Sequence, residues 1–432
     1  MPRIAFIGAG SVEFTRNVLA DLLTAQDLDR LTIALHDLNP ERLQTAEAMA
    51  RATAEAVGRN VDVEAHLERR PAVEGADYVV NEIQVGGYDA TRRDFDIPKR
   101  FGLRQTIADT IGIGGIFRGL RTIPVLVGIG NDMAELCPDA WLLNYSNPMA
   151  MLPWAVYEGT PHRKVVGLCH SVRDTHGFLA GLVDQREEDI TFVTAGFNHQ
   201  AFVLEFSLGG VDLYPRLRQV VENDPELQQR VRVEIFRRFG FFPTESSEHS
   251  AEYVPWFMRN DAEIERFRIP VDEYIRRSDE NLNEYEEIKQ ELARGGPISV
   301  VPTSELASEV IHSIETGTER TVYCNVRNGD LIEGLPEECC VEVPCEVGEA
   351  GIHPLAVGRM PPQLTALNRT FLNVVELTVR AALEESRDHV YQAAMLDPNT
   401  AATLTLSEIE ELCDELIEAH GELMPPGIRG GR

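Results

Sequence analysis

The opening segment restricts the fold more than any other part of the chain. Residues 3–7 form an apolar run of strand length, Gly8-Ala9-Gly10-Ser11 follows at once, and Val12, Val18, Leu19 and Leu22 then recur at helical spacing. A second apolar run, residues 31–37, ends on an acid, and Pro40 stands where a helix favours proline in its first turn. This is a βαβ unit whose first turn is built of glycine. Such a turn lets a pyrophosphate approach the helix N-terminus, while an acid closing the second strand accepts ribose hydroxyls. Gly8, Gly10, Ser11 and Asp37 are therefore the candidate dinucleotide-binding residues. Glu13 stands where the usual fingerprint has its third glycine, so on its own Gly-x-Gly fits a tight structural turn equally well. Asp37 favours NAD over NADP, because a carboxylate there disfavours a 2′-phosphate. Asp37 could instead cap the helix from Pro40, a task Asn39 can perform as well.

Further short apolar runs at residues 78–80, 141–145 and 165–168 alternate with helical pattern, which predicts a parallel doubly wound sheet. After about residue 195 the rhythm changes. Residues 202–210, 321–326 and 340–343 read as strands, and residues 279–293, 365–384 and 406–420 as helices. The expected fold class is α/β: a Rossmann-like domain over residues 1–195, then an α+β domain over 196–432 for substrate binding and oligomerisation. No repeat or low-complexity linker separates them, so a tight interface is expected.

Composition narrows the function. With 432 residues, 43% of them hydrophobic, the chain can bury a large core. No stretch reads as the roughly 20 apolar residues of a membrane span, and the N-terminus enters a strand without a secretory signal, so a cytoplasmic protein with no membrane partner is expected. Seven cysteines, an odd and scattered set, suit reduced thiols. The net charge, 40 − 70 = −30, argues against a nucleic-acid partner. Lys99, Lys164 and Lys289 are the only lysines, a bias compatible with a GC-rich genome or with high-salt adaptation.

Chemistry-bearing residues gather where strands end. Cys169-His170-Ser171 closes the run at 165–168, on the carboxyl edge where ligands of parallel sheets collect, and Gly196-Phe197-Asn198-His199 follows thirty residues on. Cys169 and His199 offer a sulfur and a nitrogen to a metal, and His170 a proton. Their spacing matches no zinc motif, and a buried thiol with a capping histidine is the commoner origin of such residues. Asn144-Tyr145-Ser146-Asn147-Pro148 presents two amides to a sugar or a ribose, or forms a turn. Asp109, before the glycine-rich 112–115 stretch, is either a buried carboxylate that polarises a base or a helix cap. Residues 244–253, with Trp256 and Phe257 beyond, are dense in acid-base groups, as a sugar site or a capped helix start would be.

Taken together, Phe6-Ile7-Gly8-Ala9-Gly10-Ser11, Gln105-Thr106-Ile107-Ala108-Asp109-Thr110, Asn147-Pro148-Met149-Ala150-Met151, Gly167-Leu168-Cys169-His170-Ser171-Val172, the 244–253 block and Cys339-Cys340-Val341-Glu342-Val343 resemble family 4 of the glycoside hydrolases over nearly the whole chain. The resemblance implies a malate/lactate dehydrogenase-like architecture. It also implies a mechanism outside the paired-carboxylate scheme. NAD oxidises the sugar at C3, a base removes the acidified C2 proton, a divalent metal, usually manganese, steadies the charge, and the glycosidic oxygen leaves by elimination. Water then adds at C1 and the hydride returns, so NAD is regenerated. Carried over, Cys169 and His199 resemble the metal ligands, Asn147 a sugar contact, His170 the acid and Tyr253 the base, with His249 its rival and Asp109 raising the base's strength. Histidine at 170 departs from relatives with aspartate there and agrees with the α-galactosidase branch. An α-galactoside such as melibiose is the substrate implied, an α-glucoside or α-uronide the alternative, and a homodimer or homotetramer the assembly. No dedicated phosphosugar pocket is legible, although Arg92, Arg93 and Arg118 keep one open. A dehydrogenase that releases NADH and a silent sugar or nucleotide sensor are the competing classes.

Overall fold

The computed structural model describes residues 1–28, 30–295 and 298–430, with Val12 and Glu13 as backbone alone, so the side chains of those two lie outside the described residues. Among the described residues one sheet of 13 strands organises the molecule. Its members are β1 (Arg3–Ile7), β2 (Thr32–His36), β3 (Asp62–His66), β4 (Tyr78–Asn81), β5 (Trp141–Asn144), β6 (Val165–Leu168), β7 (Ile190–Phe197), β8 (Gln200–Leu208), β9 (Val211–Asp212), β10 (Phe242–Pro243), β11 (Arg320–Arg327), β12 (Cys340–Gly348) and β13 (Gly351–Pro354). The first six lie parallel in the order β3-β2-β1-β4-β5-β6, which is the doubly wound dinucleotide-binding topology. Strands β1, β4 and β6 read as continuous apolar runs because helices cover both faces of the sheet.

The sheet then continues without a break. β11 pairs antiparallel with β6, β12 follows, and the β7–β8 hairpin closes that side with β10. Strand β7 runs through residue 195, where the rhythm of the sequence changes. The parallel half and the antiparallel half thus share one backbone hydrogen-bond network, and β6 is the seam between them.

The apolar helix Gly112–Leu136 corrects one expectation: at 25 residues it is long and apolar enough to cross a membrane. It is nevertheless a core helix, since 78% of its most apolar window is buried inside the protein. It also turns two arginines inward. Arg121 forms a two-pronged pair with Asp94 (2.6 and 3.1 Å), and His420 bonds the same carboxylate at 2.9 Å. Three helices, Gly87–Arg100, Gly112–Leu136 and Leu406–His420, are tied by that buried triad.

Candidate active site

The dinucleotide turn is built as a cradle. Gly8 has φ +88, and a Cβ there would stand 3.0 Å from the Glu82 carbonyl carbon. At Gly10 a Cβ would fall 2.5 Å from Asp37 Oδ2, so only glycine lets the turn approach β2. The Gly10 N–H donates to that oxygen at 2.9 Å, and Asp37 Oδ1 accepts from the Asn39 N–H at 2.8 Å. Asn39 does the capping, accepting from the N–H groups of Glu41 and Arg42, which frees Asp37 from that duty. Ser11, at the N-cap of the helix Val12–Thr24, makes no side-chain cap, leaving the first-turn N–H groups to a phosphate. These features fit a dinucleotide.

Five segments of the chain, carrying Asp109, Asn147, Cys169, His199 and Tyr253, meet at the carboxyl edge of the sheet. Cys169 directly follows β6, and His199 sits at the tip of the β7–β8 hairpin with φ +66. Their Sγ and Nε2 atoms lie 3.2 Å apart. His199 Nδ1 is 2.8 Å from Thr110 Oγ1 and 3.4 Å from the Tyr253 hydroxyl. Thr110 donates its own proton to Asp109 Oδ1 at 2.8 Å, so it accepts from Nδ1–H, and the Nε2 lone pair points at Cys169. That is the tautomer a metal ligand needs. Asn147 Nδ2 donates to the other Asp109 oxygen at 2.9 Å, which makes Asp109 a buried hub and not a helix cap. Asp109, Asn147, Cys169, His199 and Tyr253 are therefore brought together.

His249 completes the cluster as a cation. Its Nδ1 lies 3.2 Å from Glu245 and its Nε2 lies 3.6 Å from Asp109. Burial opposes its charge, but the two carboxylates outweigh it and raise its pKa to about 10. Asp109 and Glu245 are correspondingly held well below the usual carboxylate range, with His249 overcoming their burial. His199 is lowered to about 4 by burial and by its charged neighbour, so it stays neutral. Burial pushes the Cys169 thiol and the Tyr253 phenol upward, and the carboxylates around them add to the effect.

His170 stands apart from this group. It faces the helix Val12–Thr24, beside the rings of Phe14 and Tyr145, and its Nε2 lies 2.9 Å from Glu305. That hydrogen bond raises the His170 pKa against burial. Of the arginines left open for a phosphosugar, Arg118 lies against the site, donating to the Asn147 carbonyl and the Tyr274 hydroxyl, and Arg92 pairs with Asp96.

Sequence reasoning missed four residues of the site. Glu245 brings a carboxylate within 3.8 Å of His199 Nε2, and Cys169, His199 and Glu245 together can hold a metal ion, with their ligand atoms within 4.8 Å of one another. A sulfur, a neutral imidazole and a carboxylate suit a divalent transition metal. Thr110 sets the tautomer. Glu252 accepts from the N–H groups of Thr106 and Ala108 and so anchors the loop that carries Asp109. Glu305 lies 135 residues from its partner His170. Glu245, Thr110 and Glu252 fall inside segments already singled out, but nothing near Glu305 marked it.

Residues 3–185 match the family model described as Family 4 glycosyl hydrolase, and residues 194–400 match that of its C-terminal domain. The chain belongs to family 4 of the glycosyl hydrolases. A family relative, an α-galactosidase of Bacillus subtilis (strain 168), is 43% identical over 430 residues, 98% of this chain and 99% of that one. Among solved structures, a 6-phospho-α-glucosidase from gut microorganisms, in complex with NAD and Mn2+, superposes with a TM-score of 0.81 at 22% identity, covering 98% of this chain and 99% of that one. The family fold extends to dehydrogenases: malate dehydrogenase from Plasmodium falciparum aligns with a TM-score of 0.54 at 16% identity over 90% of this chain and all of that one. The Rossmann-like architecture expected from the first βαβ unit is therefore the one observed.

Proposed function

We propose that the chain is an α-galactosidase that hydrolyses α-galactosides such as melibiose, with NAD and a divalent metal, manganese before others, as working parts. One observation carries this reading: Cys169 Sγ and His199 Nε2 meet at 3.2 Å at the carboxyl edge that also holds the dinucleotide turn. The 43% identity to an α-galactosidase supports galactose as the sugar. Gly8, Gly10, Ser11 and Asp37 would hold NAD, and Cys169 and His199, joined by Glu245, the metal. When bound, these groups would supply a hydride acceptor and donor for the sugar and a Lewis acid for the negative charge that develops on it.

The chain's own residues supply the rest. Tyr253 is assigned the proton at C2, because Glu245 and Asp109 engage the two ring nitrogens of its rival His249. Its phenol, pushed up by burial, needs the positive charge that a metal held by Cys169 and His199 would bring nearby. As the glycosidic oxygen leaves C1, His170 gives it a proton. Water then adds at C1, giving a proton back to His170, and Tyr253 returns the proton to C2. Asn147 would orient the sugar, and Asp109 holds both Asn147 and His249. In this reading residues 1–195 carry the nucleotide and residues 196–432 the sugar and subunit contacts of a dimer or tetramer, in the cytoplasm, where the seven free thiols stay reduced.

The test is hydrolysis of para-nitrophenyl α-galactoside by protein stripped of metal and nucleotide, then resupplied with NAD, Mn2+ and a thiol reductant singly and together. Activity only with all three is expected. Activity confined to the α-glucoside or α-uronide analogue would move the substrate, and sugar-dependent accumulation of NADH would make the protein a dehydrogenase instead.

A further inference from the structure

Glu342 stands in β12 and is 0% exposed, on a strand whose residues 340–345 are all buried. A carboxylate is expensive to bury in such a strand unless polar neighbours hold it. Two amides converge on its Oε1, Asn325 Nδ2 at 3.1 Å and Asn198 Nδ2 at 3.3 Å. Its Oε2 meets no protein donor among the described residues. Asn325 pairs in register with Gly167 on one side and Glu342 on the other, and Glu342 pairs with Gly196. Residues directly opposed on antiparallel strands share a face, so Gly167, Asn325, Glu342 and Gly196 form a row across four strands. Glycine is required at both ends of it. A Cβ at Gly167 would stand 3.0 Å from Asn325 Cβ, and one at Gly196 only 2.7 Å from Ala201 Cα.

The row spans the gap between the two candidate metal ligands. Cys169 lies two residues beyond Gly167, and Asn198-His199 lies just beyond Gly196. In the sheet, β6 and β7 are separated by β11 and β12, three strand spacings or about 14 Å. The ligand atoms nevertheless meet at 3.2 Å, so both strand ends must be held in place. His199 also occupies a two-residue hairpin loop with φ +66, a conformation that favours glycine and persists in histidine only when the surroundings impose it.

We infer that Glu342 is a positioning residue of the metal site. Through Asn198 it pins the strained hairpin that carries His199. Through Asn325, whose Nδ2 also reaches the Gly167 carbonyl at 3.4 Å, it pins the end of β6 that carries Cys169. The strut works by accepting two hydrogen bonds on one oxygen, and its charge is not required. The inference rests on the metal reading above.

Titration of Mn2+ into wild type, Glu342→Gln and Glu342→Leu, followed by the electron spin resonance of the free ion, separates the possibilities, with NAD affinity as the check that each variant is folded. Glu342→Leu, which strands both amides, is expected to weaken Mn2+ binding at least about tenfold. Glu342→Gln, which keeps the accepting oxygen, is expected to stay within about threefold of wild type. A Leu variant that binds NAD normally and Mn2+ within about twofold of wild type would overturn the inference. So would a Gln variant as weak as the Leu variant. Should Glu342→Leu fail to fold, Asn198→Ala cuts the same strut from the hairpin side and is judged by the same tenfold and twofold marks, about those expected for an outer-shell partner. A wild-type chain that binds no Mn2+ would remove the metal reading and this inference with it.

Discussion

Thr110 and Asp109 together determine what His199 can do. Because the Thr110 hydroxyl spends its proton on Asp109, His199 presents Nε2 as a lone pair toward Cys169, and Thr110→Val should weaken Mn2+ binding about 10-fold or more. Unchanged affinity in a direct titration would contradict that tautomer. Tyr253→Phe is expected to lower kcat by about 10²-fold or more with Mn2+ and NAD binding retained, and a near-normal kcat would take the base role from Tyr253. His170 carries a pH prediction. Glu305 raises its pKa against burial, Asp174 adds in the same direction, and Arg173 opposes. A donor whose folded pKa is raised keeps its proton to higher pH, and activity falls as pH rises through that pKa. Its stabilising contribution is likewise complete below the unfolded value of about 6.5 and lost as pH rises through the folded one. Glu305→Gln should therefore move the alkaline limb of the rate profile to lower pH, and a limb that stays in place would separate Glu305 from the acid.

Among the elements, those whose local pattern matches their burial were legible. β6 and the helix Leu406–His420 fall on the residues that apolar runs and periodicity mark. β3 escaped because Asp62–His66 is mostly half-exposed and its polar residues mask the strand. Residues 191–193 of β7 are exposed or half-buried, and only its buried end, near Gly196, stood out. What no local pattern encodes is pairing. The sheet sets β11 and β12 between β6 and β7, and only the folded protein reveals that Cys169 and His199 meet across them. The same holds for Glu305, whose partner lies far away in sequence. The helix triad makes its own prediction: Arg121 and Asp94 have side chains 0% and 3% exposed, so Asp94→Ala leaves a buried guanidinium unpaired. A loss of about 3–5 kcal/mol in denaturant unfolding is expected, and a loss near that of an exposed pair would contradict the buried-pair account.

For the whole molecule, charge and chemistry point to separate measurements. A net charge of −30 on one chain is self-repulsive, and added salt screens it. The thermal midpoint should rise as KCl goes from about 0.05 M to about 1 M, over which the Debye length shrinks severalfold; a falling midpoint would mean that the ion pairs, such as Arg69–Asp132, outweigh the repulsion. Chemistry rests on the claim that the C2 proton is removed and returned in each turnover, a step that direct displacement at C1 never takes. Hydrolysis of an α-galactoside in D2O by the protein supplied with NAD and Mn2+, with the released galactose read by NMR, tests that claim most directly. Deuterium at C2 of the product is the result predicted; galactose released at the same rate with hydrogen retained at C2 would contradict it.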